Sequence, residues 1–137
     1  MYKIKRRESL SENIFLIDVS APRVAEKCLP GQFVIVRADE KGERIPLTIC
    51  DYNRENGTVT LVVQIVGAST LKLSRLNEND GVEDIVGPLG VPSEIVTADD
   101  EFLKNKNIIF VAGGVGTAPV YPQVKYLSER GYKFDVI

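Results

Sequence analysis

Short strand-like runs recur through the first hundred residues, and each ends near glycine, proline or asparagine. The clearest runs are residues 14–19, 32–36, 45–49, 58–66 and 82–86. Strands this short, at this spacing, are typical of a closed antiparallel barrel rather than of alternating strands and helices. The sequence therefore predicts an all-β Greek-key barrel of six strands in this part of the chain.

Two local signals fall inside the predicted barrel. Asn56-Gly57 precedes the longest run and predicts a hairpin turn, because both residue types tolerate a positive φ. Further on, Ser69 or Thr70 is expected to cap one short helix over residues 71–76.

The pattern changes at residue 106. Residues 107–112 are continuously apolar, as expected of a parallel strand that is covered on both faces. A glycine-rich turn, a helix over residues 120–130 closed by Gly131, and a strand over residues 133–137 then follow. This βαβ unit is typical of the start of an α/β nucleotide-binding domain.

The predicted domain boundary lies between Pro92 and the acidic residues 99–101. We expect a barrel domain at residues 1–98 and an incomplete nucleotide-binding domain at residues 99–137. A two-stranded parallel sheet cannot bury both of its faces. We therefore interpret the chain as a fragment of a longer protein; the alternative is a short natural protein that a partner completes.

Composition excludes several classes of function. The formal net charge is −2 and the basic residues form no run, so nucleic acid is not an expected partner. No segment approaches the roughly 20 apolar residues of a membrane span. The chain has no histidine, which removes the commonest general base and disfavours a hydrolase. We expect no catalytic side chain and no metal site, and look to a bound cofactor for reactivity.

The two cysteines, Cys28 and Cys50, do not form a CxxC pair. Two reduced thiols in a cytosolic protein are the expectation, by the usual rule relating cysteines to their compartment. A disulfide between them is the alternative.

The first motif with chemical content is residues 44–48, Arg-Ile-Pro-Leu-Thr. Thr48 can place a hydroxyl near the redox nitrogen of a flavin, and the guanidinium of Arg44 matches phosphate oxygens. The alternative is a surface arginine beside an ordinary strand.

The second motif is residues 66–70, Val-Gly-Ala-Ser-Thr. Gly67 lets a ligand approach the backbone, and Ser69, Thr70 and the free N–H groups of a helix start can bind an anion. The alternative is a simple helix cap.

The third motif is the glycine-rich turn at residues 113–119, between a buried strand and a helix. A nucleotide-binding turn requires this context, because phosphate rests on the helix N-terminus. Pro119 suits the first turn of that helix, where its missing N–H costs nothing. The alternative is a turn chosen for tight packing.

These motifs, with Gly-Pro-Leu-Gly at residues 87–90 between them, resemble the ferredoxin–NADP reductase superfamily. The sequence is most similar to the electron-transfer subunits of dihydroorotate dehydrogenase and to the small (alpha) subunit of NADH-dependent ferredoxin–NADP oxidoreductase, also called a sulfide dehydrogenase subunit. The pairing of the first two motifs favours the second. The superfamily places its arginine three residues before the Ser or Thr, whereas Arg44 lies four before Thr48.

The resemblance implies four groups of cofactor-binding residues. The first is the flavin motif, the second a strand whose backbone follows the cofactor, the third the pyrophosphate turn and the fourth the nicotinamide-dinucleotide turn. In that order they are Arg44, Pro46, Leu47 and Thr48; Val62, Val63 and Gln64; Gly67, Ser69 and Thr70; and Gly113, Gly114, Gly116 and Thr117.

The implied function is that of an FAD-dependent electron-transfer subunit of an oxidoreductase. NAD(P)H would reduce FAD, and electrons would pass to a [2Fe-2S] centre held by cysteines beyond residue 137. A larger catalytic flavin or iron–sulfur subunit and a ferredoxin-like carrier are the implied partners. The chain alone is expected to keep weak FAD binding without oxidising NAD(P)H. The alternative is a cofactor-free barrel that docks on a larger complex.

Overall fold

The computed structural model describes residues 1–137, and its main feature is a seven-stranded antiparallel sheet. In sheet order the strands are β6, β1, β2, β5, β4, β3 and β7. Their bounds are β1 Tyr2–Ser9, β2 Ile14–Ser20, β3 Phe33–Arg37, β4 Arg44–Asn53, β5 Thr58–Gln64, β6 Gly81–Val82 and β7 Asp84–Leu89.

The sheet curls until its two edges meet, because the strands at those edges, β6 and β7, follow each other directly in the sequence. Only Glu83 separates β6, which pairs with β1, from β7, which pairs with β3. Residues 81–89 thus join the two ends of the strand order as one divided strand. The predicted antiparallel barrel is confirmed, with this stretch as its sixth strand.

Alternation of apolar and polar residues explains which face of each strand is buried. In β2, Phe15, Ile17 and Val19 point into the core, and in β5 the buried residues are Val59, Leu61 and Val63. Strand β1 follows the rule poorly, since it is mostly polar and buries only Ile4. That polarity is why the sequence did not predict β1.

The predicted hairpin at Asn56-Gly57 is confirmed, because β4 and β5 are antiparallel on either side of it, but its turn differs from the expected one. Asn53 lies opposite Thr58, so the loop has four residues, and of its Asn-Gly pair only Gly57 has a positive φ, +64°. The side-chain oxygen of Asn53 accepts the N–H of Asn56 at 2.9 Å, which holds Asn56 out of the left-handed region. The β4 strand is also longer than predicted.

Two helices, not one, interrupt the barrel strands. Helix α1, Pro22–Lys27, was not predicted, although Pro22 suits its first position. Helix α2 is Ala68–Ser74 and its cap is Gly67, so the prediction that Ser69 or Thr70 caps it was wrong. The Thr70 hydroxyl instead reaches back and accepts the N–H of Gly67 at 3.1 Å, which starts the helix earlier.

The remaining elements form a small βαβ unit with its own core. They are α3 Glu94–Thr97, α4 Asp100–Asn105, β8 Ile109–Phe110, a 3-10 turn at Gly114–Gly116, α5 Thr117–Glu129 and β9 Asp135–Val136. Strands β8 and β9 are parallel, and Leu103, Phe110 and Leu127 form the buried centre of the unit. Pro119 lies in the first turn of α5, as predicted.

The prediction that residues 107–112 are covered on both faces was wrong. Helices α4 and α5 cover Phe110, but Ile109 is 56% exposed and Val111 75% exposed on the other face. The predicted boundary near residue 99 is also helical, because Ser93 and Asp99 cap α3 and α4.

Helix α5 attaches the βαβ unit to the barrel. The Nζ of Lys125 lies 2.8 Å from Oδ1 of Asp51 on β4. Ser93 bridges the two parts, since its N–H donates to the Pro30 carbonyl of the barrel at 2.8 Å and its hydroxyl donates to Gln123 of α5 at 2.7 Å. These contacts hold the glycine-rich turn beside the barrel. None of the helices has the length and apolar character needed to cross a bilayer.

Candidate functional site

A gap opens between β4 and β5 where their pairing stops. The first half of β4 pairs with β3, from Arg44 opposite Arg37 to Thr48 opposite Phe33. The second half pairs with β5, but only up to Ile49 opposite Leu61. Beyond that point β5 pairs with β2 alone. The two strands therefore separate, and we call the space between residues 44–48 and 62–64 the β4–β5 split.

The split brings together two groups of predicted site residues. If the β4–β5 ladder continued in register, Thr48 would lie opposite Val62 and Pro46 opposite Gln64. These edges instead present backbone N–H and C=O groups that pair with no strand. Pro46 has no N–H to leave unpaired, which suits this edge.

Side chains from the two edges divide between the core and the outer face. Leu47 and Val63 pack towards the barrel core, and the backbone of each pairs with the neighbouring strand, β3 or β2, so neither presents a polar group to the split. Thr48 on one edge and Val62 and Gln64 on the other alternate with them and face outward.

Helix α2 lies at the open end of the split. The Ser69 hydroxyl donates to Oε2 of Glu43 at 2.7 Å, directly before β4 begins. Lys72 of α2 also pairs with Asp39 at 3.0 Å, on the loop before β4. The predicted pyrophosphate turn and flavin motif are thus neighbours in space.

The geometry at Gly67 leaves room for a ligand. Its φ is −171°, an extended conformation open to any residue, and a Cβ built there meets no other atom within 4 Å. The fold itself therefore does not require glycine at position 67. A glycine here fits a group that must approach the backbone closely, which is what a flavin pyrophosphate would do.

Arg44 makes an ion pair that the sequence did not predict. Its NH2 group lies 2.7 Å from Oδ2 of Asp84 on β7, and both side chains are partly exposed. Arg37 lies between them in register on the outer face of the sheet. The guanidinium expected to meet phosphate is thus already bound to a carboxylate.

A groove of about 550 Å³ lies between the barrel and the glycine-rich turn. Gly114, Val115 and Thr117 line one side, and Thr60 and Val62 line the other. Val62 belongs to both the split and the groove, so the predicted flavin strand and the predicted nicotinamide turn meet there. Gly113 and Gly116 are not among the lining residues.

Glycine has different roles within that turn. Gly114 has φ +56°, so a side chain there would be strained whatever the space around it. Gly113 and Gly116 have ordinary φ values, and an added Cβ meets nothing within 4 Å at either position. Their lack of a side chain keeps the surface of the turn open.

The groove contains polar residues that sequence reasoning missed. The Thr60 hydroxyl donates to Asp18 at 2.5 Å, and Arg6 lies 3.8 Å from the same carboxylate. Thr60 and Arg6 line the groove. Nothing in the sequence around Arg6 marks it, because β1 was not predicted.

Cys50 lines the groove because of an irregularity in β4. The β4–β5 register shifts between Ile49 and Asp51, and Cys50 is the extra residue. Burial raises the pKa of Cys50 to about 11, with nearby Asp51 and Asp18 adding to the shift. Cys28, buried elsewhere in the barrel, is likewise a free thiol, and its pKa is raised to about 11 chiefly by burial.

Comparison with known families matches the barrel. The sequence profile described as "Oxidoreductase FAD-binding domain" covers residues 1–92 of the chain. The chain belongs to this family. Its members are FAD-binding domains of oxidoreductases, and the β4–β5 split lies wholly within the matched residues.

Individual proteins are also similar to this chain in sequence. An uncharacterized protein from the adh 3′ region of Clostridium beijerinckii is 61% identical over 137 residues, which is 100% of the chain and 46% of that protein. The electron-transfer subunit homolog of dihydroorotate dehydrogenase B (NAD(+)) from Thermotoga maritima is 43% identical over 135 residues, 98% of the chain and 45% of that protein.

Among solved structures, a chain of an NADH-dependent reduced ferredoxin–NADP oxidoreductase is similar, with a TM-score of 0.88 and 40% identity. The match covers 99% of this chain and 47% of the other, and that structure is described in relation to flavin-based electron bifurcation. The chain therefore spans slightly less than half the length of these relatives. The resemblance to the ferredoxin reductase superfamily is confirmed.

Proposed function

We propose that this chain is the FAD-binding part of an electron-transfer subunit of an NAD(P)H-dependent oxidoreductase, with the flavin ring in the β4–β5 split. The observation that carries the proposal is the separation of β4 from β5 at Ile49 and Leu61. It produces two unpaired strand edges inside a domain whose family binds FAD.

Each group of residues has a role in this arrangement. Thr48 and the open edge of residues 62–64 hold the flavin ring, while Pro46 shapes the opposite edge and Leu47 supports that edge from the core. Gly67, Ser69 and Thr70 accommodate the pyrophosphate, and Arg44 supplies a nearby cation. The FAD supplies the redox chemistry, so the protein needs no side chain that forms or breaks bonds.

The groove extends the site towards a second nucleotide. We propose that Gly113, Gly114, Gly116 and Thr117 form the near side of a nicotinamide site, separated from the flavin by Val62. Residues 1–98 would then act as the FAD domain and residues 99–137 as the beginning of an NAD(P)-binding domain. The groove supports this assignment because it joins the two at one surface.

For the whole protein, we propose that electrons pass from NAD(P)H through FAD to an iron–sulfur acceptor, with a larger subunit as partner. Support comes from the relatives, which are named as an electron-transfer subunit homolog of dihydroorotate dehydrogenase B and as an NADH-dependent reduced ferredoxin–NADP oxidoreductase.

Equilibrium dialysis of the purified chain against FAD tests the proposal. We expect saturable binding at one site per chain. Val62→Glu, which places a charge in the split, should weaken binding at least about tenfold, because an unpaired charge there is costly to desolvate. Val86→Glu is the matched control, since Val86 is also an outward-facing valine but on β7, and it should leave binding unchanged. A folded chain that binds no FAD at millimolar concentration would instead favour the cofactor-free docking barrel.

A further inference from the structure

Two carboxylates already bind the hydrogen-bond donors that are best suited to hold a pyrophosphate near the split. Glu43 accepts the hydrogen bond of the Ser69 hydroxyl at 2.7 Å, and Asp84 is 2.7 Å from the guanidinium of Arg44. A carboxylate and a phosphate present similar anionic oxygens to such donors. Glu43 and Asp84 therefore compete with any phosphate that uses these donors.

We infer that Glu43 and Asp84 weaken FAD binding by occupying Ser69 and Arg44, so that they set the affinity of this chain for the phosphate-containing part of the cofactor. The inference rests on the proposed FAD site. It deepens that proposal by naming residues that oppose binding.

The positions of these carboxylates support competition rather than a purely structural role. Glu43 and Arg44 are exposed, and the Arg44–Asp84 pair is partly so. Exposed ion pairs contribute little to folding, typically under about 1 kcal/mol. Their loss should therefore leave the barrel intact. Ser69 lies at the end of the split beside Gly67, and Arg44 begins β4 at that end, although its guanidinium now reaches across β3 to Asp84.

The third donor of the predicted pyrophosphate turn is occupied in a different way. The Thr70 hydroxyl accepts from the N–H groups of Val66 and Gly67 and donates to the Gly67 carbonyl. These bonds begin α2, so Thr70 is expected to shape the turn rather than to release its hydroxyl. Ser69 is thus the side chain of the turn whose partner a phosphate can displace.

The test compares two flavins that share the isoalloxazine ring. FAD carries the pyrophosphate and riboflavin carries no phosphate, so only FAD meets the competition. Dissociation constants for both would be measured by equilibrium dialysis at fixed ionic strength. We expect Glu43→Gln and Asp84→Asn each to tighten FAD binding by about threefold or more, because a neutral amide holds the Ser69 hydroxyl or the Arg44 guanidinium less strongly than a carboxylate does and releases it to the pyrophosphate. Riboflavin binding should not change.

Two controls separate this effect from a general change in charge. Glu40→Gln removes one negative charge from an exposed side chain of the same loop, three residues from Glu43, whereas the partners of Ser69 and Arg44 are Glu43 and Asp84. It should change FAD affinity less than Glu43→Gln. Combining Ser69→Ala with Glu43→Gln should abolish most of the gain, because the released hydroxyl is then missing.

The outcomes distinguish this inference from the proposed function. If the wild-type chain binds both flavins and the variants change FAD and riboflavin affinity equally, or neither, the competition is wrong while the flavin site stands. If the wild-type chain binds neither flavin, the proposed function is wrong and the inference fails with it.

Discussion

The ammonium nitrogen of Lys125 lies 2.8 Å from Oδ1 of Asp51, and this ion pair joins α5 to β4. The hydrogen bond that Lys125 donates to Asp51 raises the pKa of Lys125, and burial partly offsets this rise. Asp51 also lines the groove beside the barrel. One carboxylate thus forms part of the groove wall and holds the helix that follows the glycine-rich turn.

Breaking that ion pair should loosen the groove. We expect Lys125→Met to speed alkylation of Cys50, which lines the groove and is only 8% exposed, by several-fold in native conditions. Mass spectrometry of the alkylated peptides measures the rate, and Cys28, which is fully buried, is the internal reference. Lys72→Met breaks an exposed pair with Asp39 instead and should leave the Cys50 rate unchanged. Equal acceleration at both cysteines would indicate global unfolding and contradict the prediction.

Alanine substitutions at two adjacent valines on β5 should affect different properties of the chain, stability in one case and FAD binding in the other. Val63 is in the core, so Val63→Ala should lower the free energy of unfolding by roughly 2 kcal/mol. Val62 faces the split, so Val62→Ala should weaken FAD binding while changing stability by less than about 0.5 kcal/mol. Urea unfolding and FAD dialysis on both variants measure the two effects. Loss of stability in Val62→Ala would show that this side chain belongs to the core.

Alanine substitutions at Gly57 and Gly67 should also have different effects, the first on stability and the second on FAD affinity. Gly57 has φ +64°, and an added Cβ would lie 2.9 Å from the Cβ of Pro22, so Gly57→Ala should cost about 1–3 kcal/mol of unfolding free energy. Gly67→Ala meets nothing within 4 Å and should leave thermal unfolding nearly unchanged, yet reduce FAD affinity. Unchanged FAD affinity in Gly67→Ala would contradict the proposal that the pyrophosphate binds at this turn.

Stability should fall at alkaline pH because of the buried thiols. The pKa values of Cys28 and Cys50 are raised to about 11 from an ordinary value of 9.0. As the pH rises, the thiols of the unfolded chain lose their protons before those of the folded chain. The stability that the protonated thiols contribute is therefore complete below pH 9 and is lost as the pH rises towards 11. We expect a loss of about 1 kcal/mol per thiol by pH 10 in urea unfolding. The Cys28→Ala/Cys50→Ala variant should lose less over that interval; an equal loss would assign the effect to other groups.

The sequence predicted the segments of the candidate site but not how they are arranged. Residues 44–48 and 62–64 could be identified from motif order, and Val59, Leu61 and Val63 from simple alternation. The split was not predictable, because it depends on where β4 changes its partner from β3 to β5. That change accompanies an extra residue, Cys50, which carries no local signal.

Long-range pairs were also beyond the sequence. Arg44 meets Asp84 forty positions away, and Ser69 meets Glu43 across the end of the split. The surroundings of a charged side chain depend on which strands are neighbours, and spacing along the chain does not give this. Helix α1 was missed for a local reason, since it is only six residues long and has only two buried residues.

An amide NMR titration of the chain with FAD tests most directly whether the flavin lies between β4 and β5. With the flavin in the β4–β5 split, the largest shift changes should fall on both edges, at Thr48 and at residues 62–64, and on the turn at Gly67–Thr70. Amides of β7 beyond Asp84 should change little, because this strand lies on the far side of β3. Saturable binding whose shift changes avoid residues 44–48 and 62–64 would contradict a flavin site in the β4–β5 split.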